Sequence, residues 1–199
     1  MSLKKVCLII TSIFLYAVTT AQVKSVYPGG LKVGELAPMF SAKNQEGKKI
    51  ELKKLLKNGD VVMLFYRGQW CPYCNQQLKK VNDSLQFISA KGATVLAITP
   101  ETGENVRKTI EKTNASFSII EDENLAIMKS YKVNFAVDEN TIAKYKNYGI
   151  DFDKANGSNS SNLPVPATYI IGKDGKIKYA FFDVNYTKRA SVKDILENL

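Results

Sequence analysis

The most constraining feature of this chain is a junction. Six apolar residues, Val61 to Tyr66, run through Arg67-Gly68-Gln69 into Trp70-Cys71-Pro72-Tyr73-Cys74, and the apolar residues then change period. The run is apolar on both faces, as a central strand covered by helices on each side must be. Beyond the cysteines, Leu78, Val81, Leu85 and Ile88 recur at spacings of three and four, which predicts one amphipathic helix from about Pro72 to Ala90. A second buried strand, Thr94 to Ile98, follows Gly92 after a crossover of helical length, so it should lie parallel to the first in a right-handed βαβ unit. The junction thus calls for an α/β layer architecture with two thiols at a strand-to-helix corner.

The remaining pattern agrees with that architecture. Asp174-Gly175 between Thr168–Ile171 and Ile177–Phe182 is a hairpin signal. Asn105 to Lys112 and Glu123 to Tyr131 read as helices, Phe117 to Ile120 as a short strand, and a terminal helix begins near Ser191. Gly47 marks a turn between extended pieces near Met39-Phe40 and Ile50, followed by a short helix carrying Leu52, Leu55 and Leu56. Between Tyr131 and the hairpin lies an insertion, helical around residues 140–147 and a loop over 156–162.

At 199 residues the chain suits one domain with a full core. Lys4 and Lys5 precede an apolar run from Val6 to Val18 that is shorter than the roughly 20 residues needed to span a bilayer, and Thr19-Thr20-Ala21 offers small residues for cleavage. Residues 1–21 therefore read as a signal peptide, 22–33 as a loose lead-in and 34–199 as the domain. The protein is expected to be exported, periplasmic or extracellular, with no stable membrane insertion after cleavage. Loss of the leader removes Cys7 and leaves Cys71 and Cys74. The net charge of +9 falls to +7 without Lys4 and Lys5. The remaining lysines are scattered among acids rather than set on one face with stacking aromatics, which argues against a nucleic-acid partner. With no histidine and only two thiols, no metal site is expected.

Two thiols three positions apart can close into a disulfide and reopen without moving the fold. At a helix N-terminus the unpaired N–H groups and the dipole favour a thiolate, which points to Cys71 as the nucleophile. The apolar stripe, extended backwards, lands on Cys74, so Cys74 should face the core and Cys71 should sit at the helix mouth nearer solvent. Pro72 suits the first helical turn, where its missing N–H costs nothing, and Trp70 and Tyr73 would flank the site as apolar covers. A structural bridge is the weaker reading, because so small a loop removes little unfolded-state entropy.

Phe65-Tyr66-Arg67-Gly68-Gln69-Trp70-Cys71-Pro72-Tyr73-Cys74, together with Gly34-Glu35-Leu36-Ala37-Pro38-Met39-Phe40 and Leu163-Pro164-Val165-Pro166-Ala167-Thr168-Tyr169, resembles the peroxiredoxin-like (AhpC/TSA) branch of the thioredoxin superfamily. The resemblance implies a thioredoxin-like fold, a central mixed β-sheet flanked by helices. It also implies a cis-proline at Pro166 facing the cysteines and presenting the Val165 backbone to substrate. There are departures from the family pattern. In its Pro-x-x-x-Thr-x-x-Cys loop the Pro becomes Arg67, the Thr becomes Cys71 and the peroxidatic Cys becomes Cys74. The arginine that begins the late strand becomes Pro166, so donors for a peroxide oxygen are not evident. The acid that thioredoxins bury six positions before the first Cys is Phe65.

Thioredoxin logic makes Cys71 the nucleophile, whereas peroxiredoxin alignment makes Cys74 the peroxide-reacting sulfur; the helix stripe sides with Cys71. Arg67 is open between stabilising a thiolate and lying on the surface, and Arg189 between reaching the site and capping the last helix. The expected activity is that of an antioxidant thiol oxidoreductase that cycles Cys71 and Cys74 while reducing a peroxide or a disulfide-bearing substrate. It needs no bound cofactor, its electrons coming from an external thiol or thioredoxin-type partner. The alternative is a thioredoxin-fold binding module that holds an extended peptide in a groove beside Trp70, Tyr73 and Pro166.

Overall fold

The computed structural model describes residues 26–199. The leader expected at 1–21, Cys7 and the first part of the lead-in lie outside the described residues. In chain order the elements are β1 (Ser41–Lys43), β2 (Lys49–Glu51), α1 (Leu52–Asn58), β3 (Val61–Phe65), α2 (Pro72–Asp83), α3 (Leu85–Ala90), β4 (Thr94–Thr99), α4 (Gly103–Thr113), β5 (Ser118–Glu121), α5 (Ala126–Ser130), β6 (Asn134–Ala136), α6 (Glu139–Asn147), α7 (Phe152–Asn156), β7 (Asn162–Pro164), β8 (Ala167–Ile171), β9 (Ile177–Phe182) and α8 (Val192–Glu197).

Five strands form the central sheet in the order β5-β4-β3-β8-β9. β3 runs parallel to β4, with Val61 opposite Thr94, and β4 parallel to β5. β3 is antiparallel to β8, and β8 to β9, so the sheet is mixed. Every residue of β3 is buried. Successive strand residues point to opposite faces, and β3 uses that alternation to feed two cores. Val61, Met63 and Phe65 pack with Leu52, Leu56, Met128 and Tyr131 on one side. Val62, Leu64 and Tyr66 pack with Cys74, Leu78, Val81 and Ile88 on the other. The cysteines therefore belong to the second core.

The single helix expected from Pro72 to Ala90 is two helices. Ser84 leaves helical geometry (φ −107°, ψ 7°) and α3 restarts at Leu85. Asn82, Asp83 and Ser84 are weak helix formers whose short polar side chains compete for backbone hydrogen bonds, and Asn82 Oδ1 is already committed to the N–H and hydroxyl of Ser116. The apolar stripe survives the break, with Leu78, Val81 and Ile88 all on the second core. The helix expected at Glu123–Tyr131 begins as a 3₁₀ turn and becomes α-helical only at Ala126, because Asn124 and Leu125 take positive φ.

The insertion is a small structure of its own. β6 and β7 pair antiparallel, and Val137, Phe152 and Leu163 form a third core with Phe135, Ile142, Tyr145 and Ile150, into which Trp70 also packs. Asn105 Nδ2 donates to the Ala155 carbonyl at 3.0 Å, and Asn159 Nδ2 donates to the Pro100 carbonyl at 2.9 Å. The insertion is thereby fixed over the C-terminal end of β4. The lead-in expected to be loose is anchored at its end: Gly30 N donates to Lys132 O and Leu31 N to the Tyr169 hydroxyl. No helix among the described residues is long and apolar enough to cross a membrane.

Candidate active site

β3 ends at Phe65 and α2 begins at Pro72, and the six residues between them bring the site's groups together. Cys71 is the N-cap of α2 with extended backbone (φ −91°, ψ 110°), and Pro72 opens the first turn as expected. Both thiols are free. Cys71 is 1% exposed and Cys74 0%. The expectation of an exposed Cys71 at the helix mouth is therefore corrected. The segment between β9 and α8 also reaches the site, which local spacing around the cysteines cannot reveal. From that segment Arg189 Nη2 lies 3.3 Å from Cys74 Sγ, and the Tyr186 ring stands 6.0 Å from that of Tyr73 and 4.4 Å from the Arg67 guanidinium.

The charge distribution reverses the sequence expectation. Burial alone would push the Cys74 thiol up, but the Cys71 S–H donates to it, the Arg189 charge faces it, and the Arg67 backbone N–H and Arg189 guanidinium donate to it. Together they bring Cys74 down to about 5. Cys71 moves the opposite way: donating its hydrogen to Cys74 holds the proton on it, and burial and the Cys74 charge add to that, against a weaker pull from Arg67. Arg189 and the Arg67 N–H thus favour the negative charge on Cys74 and the shared proton on Cys71. Being the N-cap does not outweigh a charged sulfur within hydrogen-bonding reach.

Arg67 is buried, 4% exposed. Its guanidinium lies 4.9 Å from the Trp70 ring and 5.3 Å from Tyr145 as well as against Tyr186, and Nη2 donates to the Tyr145 hydroxyl. Three aromatic faces thus hold the cation beside Cys71. Arg189 is held in turn by the Tyr186 and Lys188 carbonyls, to which its Nη1 donates. It does not cap α8, whose cap is a reciprocal Ser191–Asp194 box.

Trp70 packs against the second core, which holds both cysteines, and also reaches into the insertion, 5.4 Å from Tyr145 and 5.8 Å from Phe152 in edge-on contacts. Three other expectations are corrected. Pro166 is not cis, since the described residues contain no cis peptide bond. β7 runs extended towards β8, and the Val165 N–H is consumed by the Val133 carbonyl at 2.8 Å, so it is not presented to a substrate. Val165 and Pro166 instead line a cavity of about 420 Å³ with Arg67, Tyr145 and Tyr186. Trp70 borders one depression and Tyr73 another, so Trp70, Tyr73 and Pro166 share no groove. Sequence reasoning missed Tyr145, Tyr186 and Glu101. The signal for Glu101 was its place just past the C-terminal end of a parallel strand, where α/β sheets gather functional groups.

Comparison with known proteins agrees with this architecture. Residues 33–180 match the AhpC/TSA family. The thiol-disulfide oxidoreductase ResA of Bacillus thuringiensis subsp. konkukian is 26% identical over 148 residues, covering 74% of this chain and 68% of ResA. The putative peroxiredoxin bcp of Helicobacter pylori J99 is 26% identical over 169 residues, covering 85% of this chain and 98% of that protein. Among solved structures, peroxidoxin BcpB from Mycobacterium tuberculosis superposes with a TM-score of 0.65 at 16% identity, over 84% of this chain and 96% of that one. A peroxiredoxin-like protein from Aquifex aeolicus gives 0.63 at 18%, over 85% and 86%. The fold is that of the peroxiredoxins, and the chain belongs to the AhpC/TSA family.

Proposed function

We propose that the chain reduces a peroxide with Cys74 as the attacking sulfur and Cys71 as the resolving one. The observation that carries this reading is geometric: Cys74 Sγ is buried with the Arg189 guanidinium at 3.3 Å and the Arg67 N–H against it, and these groups favour the negative charge there. The two donors facing Cys74 Sγ occupy the role left vacant when Pro166 replaced the family's late arginine.

The Cys74 thiolate attacks the terminal oxygen of ROOH, the O–O bond breaks, and Cys74 becomes a sulfenic acid while RO⁻ takes up a proton. Cys71 then attacks Cys74 Sγ; its proton leaves with the hydroxyl as water, and a disulfide forms. Oxidation of Cys74 itself permits the second step. Once that sulfur is neutral, the hydrogen bond and charge that held the proton on Cys71 are gone, while the caged Arg67 cation remains. An external dithiol, supplied by a thioredoxin-type partner, returns two electrons. The burial of both sulfurs in the dithiol admits a small peroxide more readily than a folded protein's disulfide, and reduction by a folded partner then requires the cover over the disulfide to open. An exported setting belongs to the same proposal, resting on the leader read at residues 1–21. N-terminal sequencing of the secreted or periplasmic fraction, with Gln22 as the expected first residue, checks it.

Stopped-flow mixing of the reduced protein with hydrogen peroxide, an alkyl hydroperoxide and a small aromatic disulfide tests the substrate. Peroxide oxidation should exceed that of a free thiol by more than about a hundredfold, the lower range for acid–base and electrostatic assistance, and exceed attack on the disulfide. Cys71→Ser should still be oxidised once, stopping at the sulfenic acid, whereas Cys74→Ser should not react. Faster reaction with the disulfide would overturn the peroxide reading, and rates no better than free thiol with every substrate would leave only the binding module.

A further inference from the structure

Glu101 follows β4 and Pro100 and is wholly buried, at 0% exposure. One carboxyl oxygen accepts the Gln69 N–H at 2.8 Å. The other, Oε1, is buried without a hydrogen-bond partner. The two nearest cations are engaged elsewhere: Lys112 donates to the carbonyl and side-chain oxygen of Gln69, and Lys108 pairs with Glu104 at 2.7 Å. The carboxyl sits directly on the loop that leads into the cysteines, since a Cβ at Gly68 would come within 2.7 Å of Oε1 and 2.4 Å of Trp70 Nε1. A carboxylate with one hydrogen bond and no counter-ion is expensive to bury, whereas the neutral acid is tolerated.

We propose that Glu101 is the positioning residue that carries the second proton of the Cys71/Cys74 redox couple, protonated while Cys74 is a thiolate and ionised once the disulfide has removed that charge. This rests on the reading that the two cysteines form a reversible disulfide. The titratable groups whose charge acts on or with Glu101 are Cys74 from α2, Tyr66 just past β3, and Lys108 and Lys112 from α4. Burial pushes Glu101 up to about 8; the Gln69 N–H opposes that, the Cys74 charge adds to it, and the two lysines oppose it. Of these groups only Cys74 changes charge during the cycle.

The reduced site therefore holds Cys71–SH, Cys74–S⁻ and Glu101–COOH. Reduction of the disulfide by a dithiol transfers two electrons and two protons: one proton goes to Cys71 and one to the Glu101 carboxylate, while Cys74 takes the negative charge that Glu101 gives up. Without Glu101 the same two electrons would carry one proton.

The midpoint potential of the pair, measured from pH 6 to 8 in dithiol redox buffers, tests this. Each proton taken up with the electron pair changes the equilibrium constant tenfold per pH unit, about 30 mV. The native protein should approach a hundredfold change per pH unit, and Glu101→Gln, which mimics the neutral acid, should fall to tenfold. A purely structural role for Glu101 would shift the potential but leave the slopes equal, which overturns the proposal. The infrared difference between oxidised and reduced native protein needs no variant: a protonated-carboxyl band should be lost on oxidation at pH 7.5, and a band unchanged between the two states also overturns it. A protein that forms no Cys71–Cys74 disulfide overturns this proposal and the reading beneath it, whereas equal slopes with a normal disulfide overturn the role of Glu101 alone.

Discussion

At the residue scale, the two sulfurs were legible and their division of labour was not. C-x-x-C between a buried strand and an amphipathic stripe marks the pair, but which sulfur carries the charge depends on Arg189, 115 positions after Cys74 and 3.3 Å from it in space. An opposite charge at that range moves a buried thiol by about 1–3 pKa units. Arg189→Met should therefore raise the Cys74 titration midpoint from about 5 by that amount, read as thiolate ultraviolet absorbance against pH. At the upper end of the range the thiolate fraction at pH 7 falls about tenfold, and peroxide oxidation slows with it. Arg189→Lys keeps the charge but loses the planar fork held by the Tyr186 and Lys188 carbonyls, so its midpoint should lie between the two. A midpoint unmoved in Arg189→Met would remove Arg189 from the site's electrostatics.

At the element scale, the pattern revealed the βαβ unit of β3, α2 and β4 and the hairpin of β8 and β9, because strands buried on both faces read as continuous apolar runs, the helix between them as a stripe of period 3.6, and the hairpin turn as Asp174-Gly175. It did not reveal the break at Ser84, where the stripe continues across a gap in the helix, nor how the insertion is held. The insertion's own core is small, and it takes Trp70 from outside as a plug. Trp70 is half-buried, so Trp70→Ala should cost about 2 kcal/mol, below the range for a fully buried aromatic. The loss should be local. Amide hydrogen exchange should accelerate across α6 and α7 while β3, β4 and β8 keep their protection. Uniform acceleration over the sheet would mean that Trp70 supports the whole fold rather than the docking of one segment.

At the scale of the whole molecule, two buried groups tie stability to pH with opposite signs. The Cys74 midpoint is depressed to about 5 from an unfolded value near 8.5, so its contribution is fully present above about 8.5 and is lost as pH falls through 5. The Glu101 midpoint is raised to about 8 from an unfolded value near 4.3, so its contribution is fully present below about 4.3 and is lost as pH rises through 8. Between pH 5 and 8 the reduced protein therefore exchanges one loss for one gain, and its melting temperature should change little. The disulfide form has no thiol to titrate in either the folded or the unfolded state, and with the Cys74 charge gone Glu101 titrates lower than in the dithiol, so its contribution is lost at lower pH and nothing offsets the loss. Asp122, also raised by burial, acts alike in both forms and cancels from the comparison. Thermal melts at pH 5, 6, 7 and 8 should thus show the oxidised protein losing stability as pH rises from 5 to 6 and levelling above that, where Glu101 is already ionised, while the reduced protein stays nearly level throughout. Cys74→Ser should follow the oxidised pattern under reducing conditions, because it keeps Glu101 and removes the thiolate. Parallel pH profiles for the two redox states would mean that the negative charge does not reside on Cys74, and the order of attack proposed for the two sulfurs would lose its physical basis.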